Sequence, residues 1–423
     1  MQCIEMNKVS RGECIVLRGA HKEILMLDCP SVANGAPRLN GESFMVMTRY
    51  ADAAQRSFLL THCKSEYLNG LERLLSLDSV YFDRIYLPAA PCDKHGRPLL
   101  LEFALFAFVF LNRQDDFYHE NAALLKMLDR VAKKAGANRI FTLHSKACFS
   151  FDGVDYEVLW PAEERYPFST FFVDAVEKMD ICLSSPFLPE VAREFMRLKE
   201  EFCAAYLACC SCAPLKPSGI GRIDTVLENI KSIGPQLLML PPAQDIIEIL
   251  GRPVTREAFR HEIAAAGIIF QNIRKREASL DDILMTGAAA PESMDAIADR
   301  LHVGYYILKA PRHGAASAWS HLFGEISASH ILISNSRQSP TAAEYAELPA
   351  VKHCTDCGAC TWYRNSGCSC NRIACCYELP AGPGLTIKCP CCGNSRLPPP
   401  CGIYTVPGER SCLCDGKPIH LNL

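Results

Sequence analysis

Two short turns near the end of the chain, CTDCG at 354–358 and CPCCG at 389–393, hold the residues best suited to chemistry. Each reads C-x-x-C-G. That spacing points two thiolates at one ion, and the glycine lets backbone amides face the sulfurs. Two such turns make a tetrahedral site of four thiolates, so Cys354, Cys357, Cys389 and Cys392 are assigned to one structural zinc ion. Nine more cysteines crowd the same segment. Cys360, Cys368, Cys370, Cys375 and Cys376 lie between the turns, and Cys401, Cys412 and Cys414 lie beyond them with His420 nearby. They supply further zinc sites whose pairing stays open, for about two or three ions in all. Cys391 can replace a neighbour in the first site. An iron–sulfur cluster is the alternative, although the spacings match no common cluster run.

Thirteen of the 24 cysteines fall between Cys354 and Cys414, and the other eleven are scattered over the first 353 residues. That shift places a domain boundary near residue 345. The segment beyond it is short of Leu, Ile, Val and Phe, so it buries little core. Zinc binding, on the order of 10–16 kcal/mol per structural ion, must then drive its folding. Between 351 and 423, seven Lys/Arg stand against four Asp/Glu, a net of +3. With Trp362, Tyr363 and Arg364, such a segment suits nucleic-acid contact by stacking and phosphate pairing. It suits docking to a protein equally well.

The remaining chain must position whatever else the protein does. At 423 residues and 49% hydrophobic content, it can build two or three domains with a sizeable core. The net charge of −3 gives no chain-wide drive toward nucleic acid or anionic membrane. MQCIEMNKVSRGE lacks a basic-then-apolar signal pattern. LLLEFALFAFVFL at 99–111 is too short to span a bilayer, carries Glu102 and reads as a buried helix. A cytoplasmic protein with no membrane partner is expected, and its cysteines read as thiols or metal ligands before disulfides.

CIEMNKV, ECIVLRG and EILMLDCP read as an antiparallel meander, and SFLLTH as a further buried strand. In SEYLNGLERLLSL the apolar residues Leu68, Leu71, Leu74 and Leu75 recur at helical spacing. FDRIYLPAAP is a strand leading into a Pro-rich loop. ENAALLKMLDRVAKKAGA predicts one amphipathic helix ending near Gly136. ACFSFDGVDYEVLWP predicts a hairpin turning at Asp-Gly. From about 186 to 262 the patterns are helical, which reads as an insertion. Strands return in GIIFQN, DDILMTG, GYYILKAP and HILISNS, with helical pieces such as PESMDAIADRLH between them. Strands interleaved with helices on both sides of the insertion imply one α/β domain over 1–345. No internal repeat is evident.

In order along the chain, these pieces resemble a known family. GECIVLRGAHKEILMLDCP, LLTHCKSEYLNGL, FDRIYLPAAP, FDGVDYEVLWP, DDILMTGAA and YYILKAPRHGAASAWS resemble successive motifs of the metallo-β-lactamase fold, in the branch found in competence-type DNA-uptake proteins. The resemblance covers roughly the first 340 residues. It implies an αββα sandwich with the helical insertion, followed by the small zinc-stabilised domain at 346–423. It also implies a metal loop, LTH-x-H-x-DH. Against that loop His62 matches, while Lys64, Glu66 and Tyr67 replace a histidine, the aspartate and the last histidine. Ala288 stands for the aspartate of TGD, and Arg312 for the first histidine of HHG, with His313 kept.

Imidazole and carboxylate groups in this family hold the ions that activate water. Here only His62, Glu66 and His313 keep ligating chemistry, and the cations Lys64 and Arg312 would repel a divalent ion. The vestigial pocket is therefore expected to be non-catalytic, with Lys64 paired to Glu66. A sharper variant makes Lys64, Arg312 and His313 an anion-binding pocket. His144, His302 and His321 read as structural, and Cys209, Cys210 and Cys212 as reduced thiols. The expected function is a catalytically degenerate binding or assembly subunit that meets a protein partner through its zinc-binding tail. The alternatives are a metal-dependent hydrolase of the phosphodiesterase or nuclease class with a reduced ligand set, and a nucleic-acid-binding accessory protein.

Overall fold

The structure is a computed structural model. It describes residues 3–7, 12–30, 44, 46–211, 213–274, 282–335 and 341–354, and the backbone of 387–388, 395–396, 404–405 and 419–422. The chain forms two compact units that interleave in sequence. The first holds Met1–Thr61, Lys146–Trp160 and Ile268–Leu423, and the second holds His62–Ser145 and Pro161–Gly267.

The first unit opens with β1 (Cys3–Met6), β2 (Ile15–Arg18), β3 (Glu23–Leu27) and β4 (Gln55–Leu59). β1, β2 and β3 pair antiparallel, as the meander reading expects, and β4 adds parallel to β3. The turn between β2 and β3 places Lys22 at φ 60. Ile15, Val16, Leu17, Ile24, Leu25, Met26 and Leu27 are all buried, on both faces of the strands. Such continuous apolar runs mark a sheet covered on both sides. Residues 419–422 pair antiparallel with β1, and 404–405 lie parallel to them.

The second unit begins with α1 (Ser65–Leu77), whose predicted stripe of Leu68, Leu71, Leu74 and Leu75 is buried. After β5 (Arg84–Pro88), every one of the 12 residues of α2 (Leu99–Phe110) is buried, Glu102 included. Glu102 is tolerated there because it is neutralised. Arg97 meets it at 3.0 and 2.5 Å, Lys199 meets it at 2.8 Å, and both cations also reach Asp180. Burial by itself pushes the Glu102 carboxyl up, but hydrogen bonds from Arg97 and the charge of Lys199 hold it below its ordinary value. Next come α3 (Asp116–Leu125), capped by the Asp115 side chain on Phe117 N, and α4 (Met127–Ala135), which ends at Gly136 with φ 86. The single helix read from ENAALLKMLDRVAKKAGA is thus two. The break falls at Lys126, whose ψ of 3° leaves the helical region. β6 (Ile140–Leu143) pairs parallel with β5.

The chain re-enters the first unit as a hairpin of β7 (Cys148–Phe151) and β8 (Val154–Trp160). Asp152 and Gly153 turn it at φ 50 and 73, the left-handed pair that a two-residue hairpin requires. Five helices of the second unit follow: α5 (Thr170–Leu183), α6 (Glu190–Cys209), α7 (Pro217–Leu237), α8 (Ala243–Gly251) and α9 (Pro253–Ala265). Phe103 of α2 stacks on Phe259 of α9 at 4.7 Å and meets Phe172 of α5 at 5.3 Å. Phe106 packs edge-on against Phe195 of α6 at 5.3 Å. These rings join α2 to α5, α6 and α9 in the core of the second unit.

The first unit closes with β9 (Ile269–Asn272), β10 (Ile283–Met285), α10 (Pro291–Asp295), β11 (Gly304–Lys309), α11 (Leu322–Glu325), β12 (Ser327–Ile333) and β13 (Val351–Cys354). They join the hairpin in a seven-stranded sheet ordered β13-β12-β11-β10-β9-β8-β7. β10 to β13 run parallel and β7 to β10 antiparallel. The fold is mixed α/β with mixed sheets. No helix among the described residues is long and apolar enough to cross a membrane.

Candidate functional site

In the first unit the loops leaving β3, β4, β10, β11 and β12 meet at the carboxyl ends of their strands, where open α/β sheets usually place their sites. The chain leaves β3 at Asp28, which takes a left-handed φ of 55. Its carboxylate accepts Thr61 N at 2.8 Å and Thr61 Oγ1 at 2.5 Å, so it holds the loop after β4 in place. Thr61 O in turn accepts Ile268 N at 2.6 Å. Gly287, after β10, sits against this corner at φ 52. A Cβ there would lie 2.8 Å from Ile268 O and 3.3 Å from Thr61 Cβ, so only glycine fits.

Lys309, the last residue of β11, is 2% exposed. Its ammonium donates to Gly287 O at 2.8 Å and is ion-paired with Glu13. The second Glu13 oxygen lies 3.3 Å from His313 Nδ1, which also donates to Ser334 O at 2.7 Å. Arg312 Nε donates to Ala288 O at 3.0 Å. Arg312, His313 and Gly314 take φ values of 43, 62 and 72 in succession. Left-handed backbone at two non-glycine residues costs on the order of 1–3 kcal/mol each and needs this set of bonds to persist. Gly314 is required, because a Cβ would meet Thr341 Cγ2 at 2.9 Å.

The electrostatics follow from burial. Loss of solvent pushes the Asp28 carboxyl up to about 7, and the nearby Glu13 charge adds to this. The Thr61 hydrogen bonds and Lys309 pull the other way without overcoming it. Among the resemblance-derived positions, His313 keeps only Nε2 for a ligand, since Nδ1 is spent on Ser334 O. Ala288 contributes a backbone acceptor to Arg312.

The other four positions open the second unit. His62 is 4% exposed, and its ring lies 4.5 Å from the ring of buried Tyr67. Lys64 is half-buried at the N-cap of α1, where its carbonyl accepts Tyr67 N and Leu68 N. Glu66 is exposed in the first turn. It makes no ion pair among the described residues, so the expected Lys64–Glu66 pair is not formed. Residues two apart at a helix start do not face one another, and an acidic side chain there serves the helix N-terminus instead.

His302 Nε2 donates to Asn272 O at 2.9 Å, and His321 is a surface residue 3.9 Å from Asp295 and from Glu325. His144 binds Ser145 O at 2.8 Å and lines a cleft of about 210 Å³ in the second unit, with Cys92, Cys210, Glu163 and Glu164. Burial, with neighbouring carboxylates, raises the Cys92 thiol to about 11. Burial raises Cys210 to about 12 and also raises Cys209. They are un-ionised thiols at neutral pH. Cys212 lies outside the described residues.

Among the described residues, no three His, Cys, Asp or Glu side chains converge to hold a metal ion. Of the zinc ligands read from sequence, Cys354 is described only as the backbone end of β13. Cys357, Cys360, Cys368, Cys370, Cys375, Cys376, Cys389, Cys391, Cys392, Cys401, Cys412 and Cys414 lie outside the described residues. Sequence reading passed over Glu13, Asp28, Thr61 and Lys309. The signal available for Asp28 and Lys309 is a charged residue at the end of an otherwise apolar strand, in EILMLDCP and GYYILKAP; Glu13 and Thr61 carry no such signal.

Compared with the models of known protein families and with curated proteins, the chain matches none.

Proposed function

We propose that the chain is a metallo-β-lactamase-like αββα protein whose hydrolytic centre has been replaced by internal pairs. It works as a binding or assembly subunit, and its cysteine-rich segment at 346–423 is a zinc-stabilised domain that contacts a partner protein. The observation that carries this reading is the closed set Lys309–Glu13–His313. In it a buried ammonium, a buried carboxylate and the retained histidine satisfy one another and Gly287 O and Ser334 O. His62 is likewise engaged, packed on Tyr67. A carboxylate and imidazoles already committed to internal partners suit a rigid platform better than exchange of a metal-bound water.

The zinc half of the reading has its own support. Residues 387–388 pair antiparallel with 395–396, with Ile387 opposite Arg396 and Lys388 opposite Ser395. That short ladder brackets 389–394, the stretch holding Cys389 and Cys392. A C-x-x-C between two paired strands is the arrangement of a zinc knuckle. Cys354, Cys357, Cys389 and Cys392 would hold one ion, whose role is structural.

The test uses the full chain. It should cleave no single-stranded DNA, RNA, cyclic dinucleotide or β-lactam, with or without added divalent metal. It should also retain a partner protein that the Cys357→Ser variant loses. Metal-dependent cleavage that His62→Ala abolishes would replace this reading with the hydrolase.

A further inference from the structure

Single apolar side chains scattered over a surface need no explanation, but a cluster of them does. Four exposed apolar residues gather at one end of the helices of the second unit. Phe187 is 95% exposed, Met239 86%, Ile181 71% and Leu238 45%. α6 and α7 lie antiparallel: a Cβ on Gly219, near the start of α7, would meet Cys209 Sγ at the end of α6, and Arg222 lies 3.5 Å from Glu201. Carried along both helices at about 1.5 Å per residue, that register sets the start of α6 beside the last turns of α7. Phe187 stands just before α6, and Leu238 and Met239 just after α7. Ile181 is in the last turn of α5, which packs against α8. Its neighbour Cys182 has its thiol raised by burial and by the charge of Asp245, in the first turn of α8.

The backbone under these side chains is already ordered. Pro186 and Pro189 flank Phe187 and fix their own φ. Ser185 Oγ accepts Phe187 N at 3.4 Å, and Ser185 O accepts Leu188 N at 3.2 Å. Gly234 O and Gln236 O accept Leu238 N and Met239 N at 3.1 and 3.2 Å. Anchors ordered before docking lose little conformational freedom when they bind.

The charges around the patch select its partner. Glu177, one turn before Ile181, Glu190, in the first turn of α6, and Asp245 are exposed carboxylates. Among the cations of these elements and their neighbours, Lys178 is paired with Asp174, and Arg97 and Lys199 with Asp180 and Glu102. Arg193 alone stands against the acidic rim among the described residues. A second copy of this chain would bring a rim of the same sign against it, and an anionic bilayer or a nucleic acid would be repelled likewise. A protein surface with an apolar pocket ringed by lysines and arginines matches both features.

We propose that Phe187, Met239, Ile181 and Leu238 form a docking surface for a partner protein, with Phe187 entering an apolar pocket that basic side chains surround. Aromatic residues and Met are the types enriched at the centre of such interfaces. The surface lies wholly in the second unit and does not depend on the zinc reading.

The test uses the full chain and its Phe187→Ser, Met239→Ser and Glu190→Lys/Asp245→Lys variants, each checked for unchanged secondary structure. The probes are an amphipathic helical peptide built of Leu and Lys, its counterpart built of Leu and Glu, and phosphatidylglycerol vesicles. The Leu–Lys peptide should bind the parent, and more weakly as salt rises. Phe187→Ser and Met239→Ser should each weaken it about tenfold or more. The charge-reversed variant should prefer the Leu–Glu peptide. If the Leu–Lys peptide does not bind the parent, or binds Phe187→Ser and Met239→Ser as it binds the parent, the inference is wrong. Self-association of the parent that Phe187→Ser relieves would assign the surface to a second copy, and vesicle binding that Phe187→Ser abolishes would assign it to a membrane. Either result overturns the proposal.

Discussion

Replacing Asp28 by Asn should make the protein more stable at pH 8, although it removes a carboxylate with two hydrogen bonds. The geometry survives the change. Asn Oδ1 can accept Thr61 N, and Asn Nδ2 can donate to the Thr61 hydroxyl that now donates to the carboxylate. What disappears is a charge buried with Glu13 close by. The Asp28 carboxyl is raised from 3.8 to about 7. Roughly three pK units at 1.36 kcal/mol each put the cost of the charged form at about 4 kcal/mol as a ceiling. The sign follows from proton counting. Between about 4 and 7 the folded state holds a proton on Asp28 that the unfolded chain has released, so stability falls as pH rises through that window. Below it the cost is absent, and above it the cost is complete. Urea unfolding of the parent and of Asp28→Asn at pH 5, 6, 7 and 8 should show the variant ahead by about 2–4 kcal/mol at pH 8. The gap should close toward pH 5. A variant less stable than the parent at pH 8, or a difference independent of pH, would refute the assignment of Asp28 as a destabilising buried charge.

Other expectations follow from the same geometry. Lys199→Met leaves the buried Glu102 and Asp180 to share Arg97, and should cost up to about 3–5 kcal/mol in chemical denaturation. Replacing Lys199 and Glu102 together by Met and Gln should recover part of that loss. Gly287→Ala meets Ile268 O at 2.8 Å with an unfavourable φ of 52, so it should cost about 2 kcal/mol or more and lower the melting temperature. Cys357→Ser should release zinc and expose the segment after residue 354 to protease, while the melting transition of the rest of the chain stays in place.

Local patterns were readable where the structure depends on local spacing. The leucines of α1, the all-apolar α2 and the Asp152–Gly153 turn needed only their own neighbours in sequence. The break between α3 and α4 was not readable, since residues on both sides of Lys126 favour helix. The interleaving of the two units has no local signature either, because it is set by which distant strands pair. The same holds for Lys309, Glu13 and His313, which meet across some three hundred residues of chain. Lys64 and Glu66 show the opposite error. They are close in sequence, but residues two apart at a helix start do not face one another. The cysteine spacing is the sequence signal on which the zinc reading rests.

The central claim is that metal resides in the cysteine-rich segment and not at His62 and His313, which match ligand positions of the family the sequence resembles. The most direct measurement is zinc, iron and manganese content per chain, by elemental analysis, for the full protein and for a His62→Ala/His313→Ala double variant. The account predicts at least two zinc ions in both, with no difference between them. Loss of one metal equivalent in the double variant, with its secondary structure intact, would contradict it.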